Sequence, residues 1–313
     1  MDFSRHISSE LIDKLNDLFD HPEFVWWRSL ISDPEIFIAI RKDVVHAYYR
    51  GCRLAEIALG GQNVHAKTHY KYLLRPDVRP EYIQARSGRF EYPATWREEI
   101  GSVFVGDLSE TAAMKRAAKP YGGDEKAFVS DLIRKHSNII DVEIAMSQQA
   151  EKDETKGPSA LRIDLATVRY SGADLSLQMY EVKLFGNPEL RAQGDDVPVL
   201  NQIARYEKLL DEYNLHLRNS YLTSARNVIA LRGIPEQRKQ WAQKIIEAES
   251  GFSISREPIL IIGGFDADQK RGDAWLPHIE KLEKRLGRAR IIARGNARSV
   301  DLSPGQPSEV PTV

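Results

Sequence analysis

Three neighbouring blocks decide how this chain folds: residues 161–170 (LRIDLATVRY), 175–185 (LSLQMYEVKLF) and 199–207 (VLNQIARYE). The first two alternate apolar and polar residues and are rich in β-branched and aromatic side chains, a pattern that predicts half-buried strands. The turn formers Ser171-Gly172-Ala173-Asp174 join them, so they read as a hairpin. Asp164 stands in an apolar neighbourhood on the first strand, and Glu181, Val182 and Lys183 follow on the second. A period of two puts Glu181 and Lys183 on one strand face. Asp164 can lie opposite them across the ladder.

An Asp on one strand and Glu-x-Lys on its neighbour resembles the PD-(D/E)XK nuclease superfamily over roughly residues 120 to 235. The match is Asp164 with Glu181-Val182-Lys183; Ile163 stands where the family often has proline. The resemblance implies an α/β fold with a restriction-endonuclease-like mixed sheet flanked by helices. It also implies a Mg²⁺ or Mn²⁺ ion at Asp164, Glu181 and Val182. An acidic residue on the preceding helix would be Glu125, and a Gln on the following helix Gln202, with Tyr206 as its aromatic companion. The expected activity is hydrolysis of DNA phosphodiesters, in restriction, phage defence or repair, by a homodimer or within a larger defence complex. The rival expectation is a non-catalytic nucleic-acid-binding or assembly subunit on the same fold.

The residue types suit that chemistry in their own right. Carboxylates on adjacent strands can hold a hard cation that prefers oxygen ligands. Such an ion lowers the pKa of bound water and offsets charge on a phosphodiester. A lysine beside it can steady the phosphate or orient the water. Each residue also has an ordinary reading. Glu-x-Lys on one face describes a solvated ion pair, worth little. Asp164 could partner Arg162, Glu125 suits the first turn of a helix that starts near Asp124, and Gln202 could be surface.

Composition sets the outer bounds. The 313 residues are 42% hydrophobic and 28% charged, an ordinary globular balance long enough for two domains. The net charge of −1 means that any attraction to nucleic acid must come from local patches. Cys52 is the single cysteine, which excludes an internal disulfide and fits a reducing cytoplasm. No apolar run approaches a membrane span, and no apolar leader follows Met1.

Residues 1–119 read as an N-terminal α+β accessory domain. Leu11, Leu15, Leu18 and Phe19 fall at helical spacing behind a Ser N-cap signal. Trp26 and Trp27 are expected in the core in preference to base stacking. Residues 37–59 alternate through three segments punctuated at Lys42-Asp43 and Arg50-Gly51, predicting an antiparallel meander. Residues 65–89 carry six Lys/Arg against two acids with tyrosines interleaved, which makes Lys71, Arg75 and Arg79 the expected nucleic-acid contacts. The alternative is a solvated strand edge.

Residues 120–298 form the expected nuclease domain, with helix, strand, strand, strand, helix from Asp124 onward. Arg191, in the loop leaving the Lys183 strand, is a further candidate for phosphate contact. Residues 226–232 (RNVIALR) and 289–295 (ARIIARG) read as strands, as does PILIIGGF at 258–265; the glycines of the last end a strand and do not form a phosphate loop. Seven Lys/Arg between 281 and 298 make a second basic patch. Residues 299–313, with their prolines and serines, are expected to be a disordered tail.

Overall fold

A computed structural model describes residues 3–22, 25–73, 82–91, 105–146, 161–192, 194 and 196–306. By their contacts the residues fall into two units: Ser4–Lys126 with Tyr221–Gln243, and Met1–Phe3 with Ala127–Ser220 and Lys244–Val313. The division differs from a single cut at 119/120 because residues 221–243 pack with the N-terminal part. Asn227 Nδ2 donates to the Ile7 carbonyl at 2.8 Å, and the Arg238 guanidinium lies 4.0 Å from the Phe37 ring centre.

In the first unit the helix Ser9–Asp20 is capped by Ser8, whose hydroxyl accepts from the Leu11 N–H, and it buries Leu11 and Leu15. The helix Val25–Ile31 buries Trp26 and Trp27, so both indoles serve the core. Six strands follow: β1 (Phe37–Arg41), β2 (Val44–Tyr49), β3 (Cys52–Gly60), β4 (Asn63–His69), β5 (Tyr82–Arg86) and β6 (Arg89–Glu91). They pair antiparallel in sequence order. The meander is thus twice as long as expected, running on through the basic stretch. Arg50 (φ 46°) and Gly51 (φ 69°) supply the two left-handed residues of a twist-matched hairpin turn. Valine, isoleucine and alanine at alternate positions (Val45, Ala47, Ile57, Ala66, Ile83, Ala85) cover one face with core.

Residues 226–230 are helical, not a strand: the helix Asn214–Ala230 runs through them. Tyr221, Leu222, Ala225 and Val228 are all buried, and their helical spacing overrides the local β preference of Val-Ile.

In the second unit, the helix Gly123–Lys135 enters from its Ala127 end and leads to β7 (Ile139–Met146), β8 (Leu161–Ser171) and β9 (Asp174–Leu184). These three pair antiparallel. Gly172, at φ 67°, takes the left-handed position in the tight β8–β9 loop. Then β11 (Ile259–Gly263) adds parallel to β9, β12 (Ile291–Ala293) parallel to β11, and the short β10 (Ser253–Ile254) also pairs with β9. The sheet is mixed, with order β12-β11-β9-β8-β7. The helices Pro198–Glu212 and Leu276–Leu286 supply Val199, Ile203, Leu282 and Leu286 to a core that includes Leu260, Ile262 and Trp275.

Residues 299–306 depart from the expected tail. Val300 and Leu302 are buried, Asn138 Nδ2 donates to the Leu302 carbonyl, and the Tyr170 N–H donates to the Pro304 carbonyl. Two apolar side chains and these backbone bonds hold the segment against the second sheet; residues 307–313 lie outside the described residues. Among the described residues, no helix is long and apolar enough to cross a membrane.

Candidate active site

The β8–β9 register places the expected residues. Leu165 pairs with Tyr180, so that Asp164 and Glu181 are the next residues along the two strands. Asp164 Oδ2 accepts a hydrogen bond from the Val182 backbone N–H at 2.8 Å. Glu181 and Lys183 share a face, and Lys183 Nζ lies 2.9 Å from Glu181 Oε1. All three side chains are buried, with relative exposures of 8% for Asp164, 2% for Glu181 and 9% for Lys183. A solvated surface ion pair is therefore the wrong description.

Burial fixes the electrostatics. Desolvation, reinforced by the nearby Asp164 charge, pushes the Glu181 carboxyl up to about 8, partly offset by Lys183. Burial also works against the Lys183 charge. The Glu181 and Glu189 carboxylates outweigh it, and the ammonium is held above its ordinary value. Glu189 Oε2 lies 2.5 Å from Lys183 Nζ. It belongs to the short turn Pro188–Leu190, where the Asn187 side chain accepts from the Glu189 N–H and folds the chain back toward β9.

The helix Pro198–Glu212 covers the same place. Gln202 and Tyr206 are one turn apart; Gln202 Nε2 donates to the Tyr206 hydroxyl, which donates to the Arg162 carbonyl, both at 2.6 Å. Burial, then the Glu181 charge, raises the Tyr206 phenol and keeps it neutral. Glu181 Oε2 and Gln202 Oε1 are both buried without a hydrogen-bond partner. A buried acceptor in that state is costly unless a cation or donor reaches it.

One neighbour escaped the sequence reading. The pairs Val142–Leu165 and Ile144–Ile163 bracket Glu143 and Asp164 on facing strands. Glu143 has φ 50°, a left-handed backbone rare for a side chain of this size, and it is 4% exposed. Arg162 Nη1 meets its carboxylate at 3.2 Å. The strand pattern of DVEIAM gives no hint of that kink; the signal was two acidic residues, Asp141 and Glu143, within a largely apolar strand.

Other expected residues are placed differently. Arg191 stacks 4.6 Å from both the Phe185 and Trp275 ring centres and donates to the Phe185 carbonyl, leaving Nη1 buried without a hydrogen-bond partner. Glu125 lies in the first turn of Gly123–Lys135, in the part of that helix that groups with the first unit. Lys71 rests against the rings of Tyr72 and Tyr121, while Arg75 and Arg79 lie outside the described residues. The second basic patch is partly neutralised: Arg290 pairs with Glu207 at 2.6 Å and Arg288 with Glu283 at 2.8 Å.

The donor set suits a hard cation, since a carboxyl oxygen of Glu181 and an amide oxygen of Gln202 are both buried without a hydrogen-bond partner. Among the described residues, no group of three or more His, Cys, Asp and Glu side chains is arranged to hold a metal ion, so any such site relies on two carboxylates with an amide or backbone oxygen. Comparison with known proteins finds no matching family model, no matching curated protein and no matching solved structure.

Proposed function

We propose that this chain is a metal-dependent nuclease hydrolysing phosphodiester bonds in DNA, on a restriction-endonuclease-like sheet. The observation that supports it most is the buried row of Asp164, Glu181 and Lys183 with Glu181 Oε2 unpartnered. Asp164 and Glu181 would hold Mg²⁺ or Mn²⁺, which supplies Lewis-acid activation of water and offsets charge on the phosphodiester. Lys183 donates to a non-bridging phosphate oxygen, stabilising the charge that builds there in the transition state. Tyr206 and Gln202 bound the site and keep solvent from Glu181. The site's low polarity strengthens each of these interactions.

The clamp of Lys183 between Glu181 and Glu189 favours a second reading, a structural ion cluster in a non-catalytic binding or assembly subunit. Incubation of plasmid and linear DNA with the chain separates the two. Cutting with Mg²⁺ or Mn²⁺, blocked by EDTA and by Asp164→Asn, supports the nuclease. DNA left intact under every divalent ion supports the structural cluster.

A further inference from the structure

The open face of the N-terminal sheet carries a polar cleft that phosphodiester hydrolysis does not use. Cross-strand pairs run His46–Glu56, Glu56–Lys67 and Lys67–Gln84, so these side chains share one face. A register shift between Ala47 and Tyr48 pairs Tyr48 with Arg53 and brings Arg53 onto that face too. Arg53 Nη1 contacts Glu56 at 2.7 Å and His46 Nε2 at 3.3 Å, which fixes the guanidinium in place. Burial holds His46 down at about 4, so at neutral pH it orients Arg53 without adding charge. Arg53, Glu56, Lys67 and Gln84 line a cleft of about 430 Å³. The Lys67 and Gln84 side chains are exposed, and a hydrogen bond to His46, helped by the Lys67 charge, holds the Glu56 carboxyl below its ordinary value.

Two residues along β4 from Lys67, His69 lies on the same face and begins an aromatic cluster. Its ring is 4.8 Å from that of Tyr70, with 33° between the planes, and Tyr121 is 47% exposed beside Tyr72 and the Lys71 ammonium. An arginine held in position, an exposed lysine and an exposed amide suit the oxygens of one phosphate. Stacked rings next to it suit bases, whose faces are reachable only where the strand is unpaired.

We infer that this face binds single-stranded nucleic acid, one backbone phosphate in the Arg53–Lys67–Gln84 cleft and adjacent bases on the His69, Tyr70 and Tyr121 rings. The inference does not depend on the nuclease reading, because every residue belongs to the first unit. A sheet face of this shape meets a duplex at its phosphates alone, so the unpaired strand is preferred.

The test is fluorescence anisotropy with a labelled oligothymidylate, the full chain and EDTA. The oligonucleotide should bind more tightly than a duplex of equal length. Lys67→Glu, at an exposed position, and Tyr70→Ala, at a half-buried one, should each weaken binding about tenfold, and Lys67→Glu should also lower the salt slope by about 1 to 2. Affinity within twofold of the unsubstituted chain in both surface variants, tighter binding of duplex, or equal binding of polyglutamate would overturn the inference. A chain that binds the single strand and never cuts leaves the inference standing and removes only the nuclease.

Discussion

Lys183 Nζ is clamped by Glu189 Oε2 at 2.5 Å, and the Glu189 side chain remains 47% exposed while that of Lys183 is 11% exposed. The ammonium proposed to meet a phosphate is thus already engaged by a carboxylate that water can reach. Glu189→Gln should free Lys183 for substrate at little structural expense, since a half-exposed pair contributes about 1 kcal/mol or less. We expect the KM for DNA to fall severalfold with kcat within about twofold. A raised KM together with a collapsed kcat would instead make Glu189 part of the reacting set.

Removal of Lys183 should be far harder on the fold. Lys183→Met leaves Glu181 buried beside Asp164 with no cation, a loss of about 3 kcal/mol for a broken buried pair once Glu181 is ionised, above about pH 8. Denaturant unfolding at pH 9.5 and pH 6 measures it. The deficit should shrink at pH 6, where Glu181 is protonated. An equal deficit at both would show that packing, not charge, was lost.

The Glu181 shift carries its own pH signature. Raised from 4.5 to about 8 by burial and by Asp164, the carboxyl binds its proton more tightly in the folded chain than in the unfolded one. Its contribution is therefore fully present below about pH 4.5 and is lost as pH climbs through about 8, with a slope of at most about 1.4 kcal/mol per pH unit. Glu181→Gln should flatten that part of the stability profile. Under the proposed function, Mn²⁺ must displace the same proton, so calorimetry should show affinity rising about tenfold per unit up to about pH 8. A pH-independent affinity would place the ion elsewhere.

Asp164 is both a charge and an acceptor, and two substitutions separate these roles. Asp164→Asn can keep a carbonyl oxygen on the Val182 N–H, whereas Asp164→Ala leaves that buried donor unpaired, a difference of about 1–3 kcal/mol in unfolding free energy. Both should lower the Glu181 pKa, read by carboxyl NMR titration, because each removes the neighbouring negative charge. Equal stability of the two variants would mean that the Val182 bond contributes little.

The sequence by itself determined the local periods. Two-residue alternation in LRIDLATVRY and LSLQMYEVKLF set the β8–β9 hairpin and forced Glu181 and Lys183 onto one face, and helical spacing placed Gln202 and Tyr206 one turn apart. It likewise put Trp26 and Trp27 in a core, where the structure carries them on a short helix. Tertiary structure decided what a period cannot encode. The helix Pro198–Glu212 makes the Glu181–Lys183 face a buried one, which turns an ordinary ion pair into a group poised near pH 8. Long-range pairing drew Glu143 into line with Asp164 through a left-handed residue, and a turn capped by Asn187 returned Glu189 to Lys183. The same holds for 226–230, where burial at helical spacing outvoted β-branched residues, and for Val300 and Leu302, which a proline- and serine-rich segment concealed. Alternation along a chain fixes which side chains share a face; only the partners that cover that face decide whether it is wet or dry, and desolvation is what gives these charges their chemistry.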